Sequence, residues 1–322
     1  MCARHAGQGG PALSDEERAQ IVAAARDETA VGALKTRFFE DPYELKTGKP
    51  EVAARGLDDR MRTAKATLHA RMAKGPDGFV DEAQELAAAM PATAAQDGQA
   101  LVDIVDYVLN QRTTEKEYPN GVRDQGRGSV RPAHFTTHAN AQDARLDEGE
   151  VYALRIYTTF AFRHMNGPLR DDERFAKRIP VPLPALTRSA DDAIRKLRAV
   201  RAQAGAGEKN VVLWRGMRSL KASEEFMRQG GTELAFMSTT SDLRVAVRYS
   251  LSRHSLLFKL VAPNFMSLGA ELQWLSAFPA EAEVLFPPLT FLQPTGRTDR
   301  VDAVDRDGNS VTFTIVEVTP SF

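Results

Sequence analysis

The sequence predicts an α+β protein, with helices first and strands afterwards rather than alternating β-α-β units. Three observations carry this. Ahead of Gly205-Ala206-Gly207, apolar residues recur at helical spacing. After those glycines come short apolar runs of strand length. The chain closes on two such runs joined by Asp307-Gly308-Asn309, a hairpin turn signal.

Taken in order, Ser14-Asp15-Glu16-Glu17 has capping-box form and opens a helix carrying Ile21, Val22, Ala25 and later Leu34. Pro42 and Pro50 bracket a loop. Residues 52–72 are charged and alanine-rich, with Leu57, Met61 and Leu68 as apolar points. Gly75-Pro76-Asp77-Gly78 reads as a turn. Leu101, Ile104, Val105, Val108 and Leu109 follow i, i+3, i+4, i+7, i+8, the pattern of an amphipathic helix. These stripes read as core, and no chemistry is visible in this region. Residues 118–128 read as a polar connecting loop, with nucleotide contact the lesser reading. A phosphate cradle there would need a strand before it and a helix after it, and neither is evident.

Residues 148–163 read as a helix ending near Asn166-Gly167-Pro168. Pro180, Pro182 and Pro184 make a stiff linker. Residues 189–201 read as a helix capped by Ser189 or Asp191. Val211-Val212-Leu213-Trp214 reads as a short buried strand, and further strands are expected at 255–261, 283–286, 291–292 and 310–318.

Composition narrows the function classes. The 322 residues, 43% hydrophobic, suffice for one large core or two ordinary ones. A net charge of −1 provides no global field toward nucleic acid or an anionic membrane. The one cysteine, Cys2, rules out an internal disulfide and a cysteine-built metal site. No run of about 18 apolar residues is present, and residues 1–14 lack the apolar stretch of a signal peptide. A soluble protein of the cytoplasm or another intracellular compartment is expected, without a nucleic-acid or membrane partner. His5, His69, His134, His138, His164 and His254 are scattered without an HExxH, so no metal is expected. His134 and His138 stand four apart, but in a loop-like context beside Pro132. Neither a P-loop nor a G-x-S-x-G elbow occurs.

Chemistry concentrates in three places. Glu281-Ala282-Glu283 sets two carboxylates two residues apart at the mouth of the apolar run Val284-Leu285-Phe286. In a strand, residues i and i+2 share a face, so both acids would aim into one space and resist ionising together. Such a pair suits acid–base work or stabilising a sugar cation. The bland reading is two solvated glutamates on an edge strand. Arg215 stands at the exit of Val212-Leu213-Trp214, followed by Gly216. Ser238-Thr239-Thr240-Ser241 is a hydroxyl cluster ahead of a helix running through Arg248 and Tyr249.

In this order the three elements resemble the arginine–serine–glutamate class of mono-ADP-ribosyltransferases, which includes vertebrate ecto-enzymes and bacterial toxins of the cholera-toxin type. Arg215 matches the arginine of the first strand. Ser238-Thr239-Thr240 matches the Ser-Thr-Ser motif, with threonine in its last place, and Glu281-Ala282-Glu283 matches the E-x-E loop. The flanking Phe278-Pro279 and Pro287-Pro288 are also similar, as are Leu154-Arg155-Ile156-Tyr157-Thr158 and Asn166-Gly167-Pro168-Leu169-Arg170 upstream. The resemblance implies a catalytic domain over residues 116–322, following a helical region of residues 1–115 with no assigned role. It also implies a fold of two packed, mostly antiparallel sheets with a helical lobe.

The resemblance implies roles as well. NAD would be the substrate, with no metal. Arg215 would grip its phosphates through a planar fork of donors, with Gly216, Ser238, Thr239, Thr240 and Glu283 completing the nucleotide-binding set. Catalysis would fall to Glu283, Glu281 and Ser238. Ser238 would hydrogen-bond the catalytic acid or the ribose. Glu283 would bind the ribose hydroxyl and stabilise the oxocarbenium-like state as nicotinamide departs. Glu281 would face the acceptor, and in this class its presence goes with arginine. The expected partner is therefore a protein arginine, on this chain itself or on another.

Each residue also has a plainer reading. Arg215 could be a strand-end surface arginine, Ser238 a helix cap (although Ser241 fits that place better), and Thr239 and Thr240 strand stiffeners. Trp214 and Phe236 read as core, Phe278 as a residue of the acceptor loop, and Tyr249 as helix packing before nicotinamide stacking. Two rival functions are an NAD glycohydrolase with the same site and a catalytically silent interaction module.

Overall fold

A computed structural model of the chain describes residues 11–27, 46–47, 51–110, 132–204 and 210–322. Cys2, His5, Leu34, the loop at 118–128 and Gly205-Ala206-Gly207 lie outside these residues, and of the loop expected between Pro42 and Pro50 only Lys46–Thr47 is described, as a short strand. The chain begins with α1 (Asp15–Arg26) and β1 (Lys46–Thr47). Next come α2 (Glu51–Met61, interrupted at Gly56), α3 (Lys65–Met72), α4 (Pro76–Ala89) and α5 (Ala95–Asn110). Further helices are α6 (Pro132–Thr136), α7 (Ala139–Asp143), α8 (Glu148–Tyr157), α9 (Phe162–Arg170), α10 (Asp172–Ala176) and α11 (Pro184–Ala204). The strand-rich part holds β2 (Val211–Arg218), α12 (Glu224–Gln229), β3 (Gly231–Glu233), β4 (Met237–Thr240) and α13 (Leu243–Ser250). It ends with β5 (His254–Ala262), β6 (Ala270–Glu271), β7 (Glu283–Phe286), β8 (Thr290–Val304) and β9 (Ser310–Ser321).

These elements form two compact units that interleave along the chain. One takes its described residues from 1–50, 205–268 and 281–322, the other from 51–204 and 269–280. The expected partition into 1–115 and 116–322 cuts across both units.

The helical unit shows where local signals misplace boundaries. The expected turn at Gly75-Pro76-Asp77-Gly78 is the start of α4. Gly75 turns the chain at φ 57° and Pro76 takes the first helical turn, where a missing N–H costs nothing. The helix expected over 148–163 breaks after Tyr157, where Thr158 and Thr159 hydroxyls donate back to the carbonyls of Arg155 and Ile156. α9 then runs through Asn166-Gly167-Pro168 instead of ending there. α11 begins at Pro184, so neither Ser189 nor Asp191 caps it; both are buried inside the helix.

The cap of α11 comes from far away in sequence. The Glu82 carboxylate, fully buried on α4, accepts the backbone N–H groups of Ala185 at 2.8 Å and Leu186 at 3.1 Å, with Arg71 at 3.4 Å. A negative group at a helix N-terminus is favoured, yet burial disfavours its charge. Burial dominates and pushes the Glu82 carboxyl from its ordinary 4.5 up to about 7, against the pull of these three partners. A raised folded-state value stabilises the fold fully below about 4.5, and that stability is lost as pH rises through about 7. Urea denaturation at pH 5 and pH 8 is expected to differ by up to about 3 kcal/mol more in the native protein than in Glu82→Gln, which lacks this titration.

In the other unit, eight strands hydrogen-bond in the order β1-β3-β8-β9-β5-β2-β4-β7. The β5–β9 pair is parallel; β1–β3, β3–β8, β8–β9, β5–β2, β2–β4 and β4–β7 are antiparallel. The two expected sheets are thus joined in one hydrogen-bonded sheet, bridged at its centre by the parallel pair. That sheet must curl. Laid flat, β7 and β8 would stand five strand spacings, roughly 24 Å, apart. Yet four Cα steps through Pro287-Pro288-Leu289 connect them, which span at most about 15 Å. β8 is far longer than the expected 291–292. Its middle is exposed and polar, and a register shift between Pro294 and Thr298 breaks its alternation.

Both faces of the sheet are covered. Trp214, Leu257, Phe313 and Ile315 form one core with Ile21, Ala24 and Ala25 of α1 and Ala246 and Val247 of α13. Leu213, Leu256, Phe258 and Val316 form the other with Phe226 of α12 and Val284 and Phe286 of β7. α1 starts with the full capping box, Ser14 and Glu17 each accepting the other's backbone N–H. Glu17 also pairs with Lys259 at 2.7 Å, and the Lys259 ammonium donates to the carbonyl of Ala12 at 2.9 Å. A buried lysine on a central strand needs such partners. α1 therefore belongs to the sheet's own architecture, a point invisible to any local pattern.

Candidate active site

β4 lies between β2 and β7, so the three motifs occupy adjacent strands. Thr240 is paired with Trp214 on one side and Glu283 on the other. Directly opposed residues of antiparallel strands share a face, their Cβ atoms about 5 Å apart. Ser238, Thr240 and Glu283 thus share one face, and Thr239 points to the opposite one. Glu283, at the first position of β7, is buried at 2% exposure. Ser238 is half-buried.

β2 and β4 share the single paired position Trp214–Thr240, and the Arg215 side chain works where that ladder stops. By alternation Arg215 leaves β2 with Leu213 and Met217, on the face opposite that of Glu283. Its guanidinium nonetheless meets the hydroxyl strand. Nη1 donates to the Ser238 carbonyl oxygen at 2.9 Å, while Nη2 lies 3.6 Å from the buried Glu233 carboxylate. Arg215 is 8% exposed, not a surface arginine.

The two acids do not share a strand face as the sequence pattern suggests. Glu281 sits in a 3₁₀ turn, Pro279–Glu281, and only Glu283 is in β7. Ala282 between them adopts φ 45°, a left-handed conformation uncommon for alanine. β4 holds this turn in place. The Thr240 hydroxyl donates to the Glu281 carbonyl at 2.7 Å, and the Thr239 hydroxyl to the Val284 carbonyl at 2.7 Å. Buried at 3% exposure, Glu281 accepts the Tyr249 hydroxyl at 2.6 Å.

Residues 131–307, more than half of the chain, match the family model of the NAD:arginine ADP-ribosyltransferases. The chain belongs to this family. NAD is the substrate of such enzymes, which makes this protein an ADP-ribosyltransferase. Solved structures with partial similarity include the ADP-ribosyltransferase HopU1 of Pseudomonas syringae pv. tomato DC3000, at 17% identity over 69% of this chain and 97% of that one, TM-score 0.42. An ADP-ribosyltransferase from Clostridium botulinum matches at 18% identity over 56% of this chain and 91% of that one, TM-score 0.38. Exoenzyme S from Pseudomonas aeruginosa, solved with carba-NAD and human 14-3-3 protein beta, matches at 18% identity over 58% and 86%, TM-score 0.37. No curated protein matches the chain.

Within the ADP-ribosyltransferase, Gly216 is placed for packing. A Cβ there would stand 1.9 Å from the Ala246 carbonyl oxygen, so the residue is glycine because α13 runs against β2. Asp242, not Ser238 or Ser241, caps α13, its side chain accepting the Arg244 N–H at 2.9 Å. Phe278 is 2% exposed, not an accessible loop residue. Trp214 and Phe236 are core, as read from sequence. His138 accepts the Asn140 N–H as the cap of α7 and stacks on Trp274.

Sequence reasoning missed Glu233, which faces Arg215, and it read Tyr249 as helix packing or nicotinamide stacking rather than as a partner of Glu281. Each contact joins positions many residues apart, beyond any local periodicity. A cavity of about 640 Å³ near the N-terminus of α13 is lined by Glu17, Gln20, Trp214, Ser241 and Asp242 among others, but by neither Arg215 nor either acid of the loop. Among the described residues no cluster of His, Cys, Asp and Glu could hold a metal, and no helix is long and apolar enough to cross a membrane.

Proposed function

We propose that the enzyme transfers ADP-ribose from NAD to a protein arginine, releasing nicotinamide. The observation that carries this reading is the meeting of all three motifs at β4. Arg215 is anchored on Ser238, Glu283 stands beside Thr240, and Thr240 fixes the turn that bears Glu281.

Arg215 offers the diphosphate a rigid, permanently charged fork. Ser238, on the face of Glu283, bridges that acid and the ribose. As the bond from the ribose carbon to nicotinamide breaks, its electron pair leaves with nicotinamide and positive charge grows on the sugar. The Glu283 carboxylate stabilises that charge, and its burial limits screening by water. A guanidinium nitrogen of the acceptor attacks the vacated carbon, and its proton passes to Glu281.

Incubation with NAD and agmatine, followed by mass spectrometry, tests the reading. The expected product is an ADP-ribosyl-guanidinium adduct together with nicotinamide. Glu281→Gln is expected to cut adduct formation about a hundredfold while nicotinamide release into water continues. Nicotinamide without adduct from the native enzyme would mark an NAD glycohydrolase instead, and release of neither would mark a silent module.

A further inference from the structure

We infer that Tyr249 is a positioning residue that sets the acceptor-side carboxylate of Glu281, and so selects transfer over hydrolysis. The inference rests on the acceptor role proposed for Glu281.

Two elements fix Glu281 at its two ends. Thr240, from β4, holds its carbonyl oxygen at 2.7 Å, and Tyr249, from α13, holds its carboxylate at 2.6 Å. The second distance falls in the range of a hydroxyl donating to a charged oxygen. A phenol suits this task. It stays neutral over the working pH range, so it donates without competing for the acceptor's proton. Phenylalanine could fill much of the same space but could not donate. The reach of Tyr249 depends on the seat of α13, which lies against β2 because Gly216 presents no Cβ to Ala246. Loop geometry adds to this. With Ala282 at φ 45°, Glu281 is held apart from the strand that fixes Glu283, so its carboxylate needs a support of its own.

The Tyr249 hydroxyl orients the Oε1 oxygen of the Glu281 carboxylate. Without the phenol, the carboxylate samples other rotamers and binds a guanidinium less well. Glu283 and the cleavage of NAD are untouched.

The test compares Tyr249→Phe with the native enzyme, both checked for thermal unfolding. Nicotinamide release without acceptor is expected to stay within about twofold. The KM for agmatine is expected to rise about tenfold. If transfer and hydrolysis fall in equal proportion, or if KM stays unchanged, the inference is overturned. Should Tyr249→Phe fail to fold, Tyr249→His, a shorter donor, must retain more transfer relative to hydrolysis than Tyr249→Leu; equality overturns the inference. The underlying reading fails separately: a Glu281→Gln enzyme that still modifies agmatine overturns the role of Glu281, and the role of Tyr249 with it.

Discussion

Replacing Glu283 with glutamine is expected to slow nicotinamide release from NAD by at least about a hundredfold while leaving the thermal midpoint nearly unchanged. The amide keeps the shape of the side chain and one acceptor oxygen, but not the charge. The charge is what matters, because breaking the glycosidic bond builds positive character on the ribose. At 2% exposure the carboxylate acts in surroundings that water screens weakly, which enlarges its effect. Release measured by chromatography, with and without agmatine, should fall in both cases, since cleavage precedes the choice of acceptor. A glutamine variant within about fivefold of native would remove Glu283 from the reaction.

The second large effect falls on the fold. Gly216→Ala would drive a methyl group to 1.9 Å from the Ala246 carbonyl oxygen and crowd the Ser250 nitrogen at 3.0 Å. Both are backbone atoms of α13 and cannot rotate away, so the helix must shift or the strand must bend. The expected loss is about 3 kcal/mol or more, read as a drop in thermal midpoint and urea midpoint. Any folded fraction should also show a reduced transfer-to-hydrolysis ratio, because moving α13 withdraws Tyr249 from Glu281. The family resemblance would also make this glycine part of the nucleotide site. On that account any folded fraction of Gly216→Ala loses NAD affinity as well, which titration calorimetry reads.

Much of the architecture was readable in the chain. The amphipathic pattern from Leu101 to Leu109 became α5, with Leu101, Ile104, Val105 and Val108 buried and Leu109 half-buried. The capping box at Ser14 formed with both of its hydrogen bonds, and Asp307-Gly308-Asn309 closed the final hairpin. These succeeded because the governing physics is local: a cap spans three residues, a helical face spans two turns, and a hairpin turn spans a few residues. The misread boundaries have different causes, a distant partner being one. Ser189 and Asp191 looked like caps, but Glu82 supplies the cap of α11 from about a hundred residues upstream. Asn166-Gly167-Pro168 looked like an ending, but α9 continues through it. β8 was largely hidden because its exposed middle shows no alternation.

The site divides in the same way. Which residues are proposed to bear the chemistry, Arg215, Ser238, Glu281 and Glu283, came from the linear order of three short motifs, because side-chain type is what phosphate gripping and charge stabilisation demand. How those residues are held was decided only in three dimensions. Strand pairing put Thr240 beside Glu283, a left-handed Ala282 separated the two acids, Glu233 came up to Arg215, and the close seat of α13 brought Tyr249 to Glu281. None of these follows from sequence spacing, because each depends on where a sheet curls and how near a helix can approach it, and those are properties of packing rather than of any window of residues.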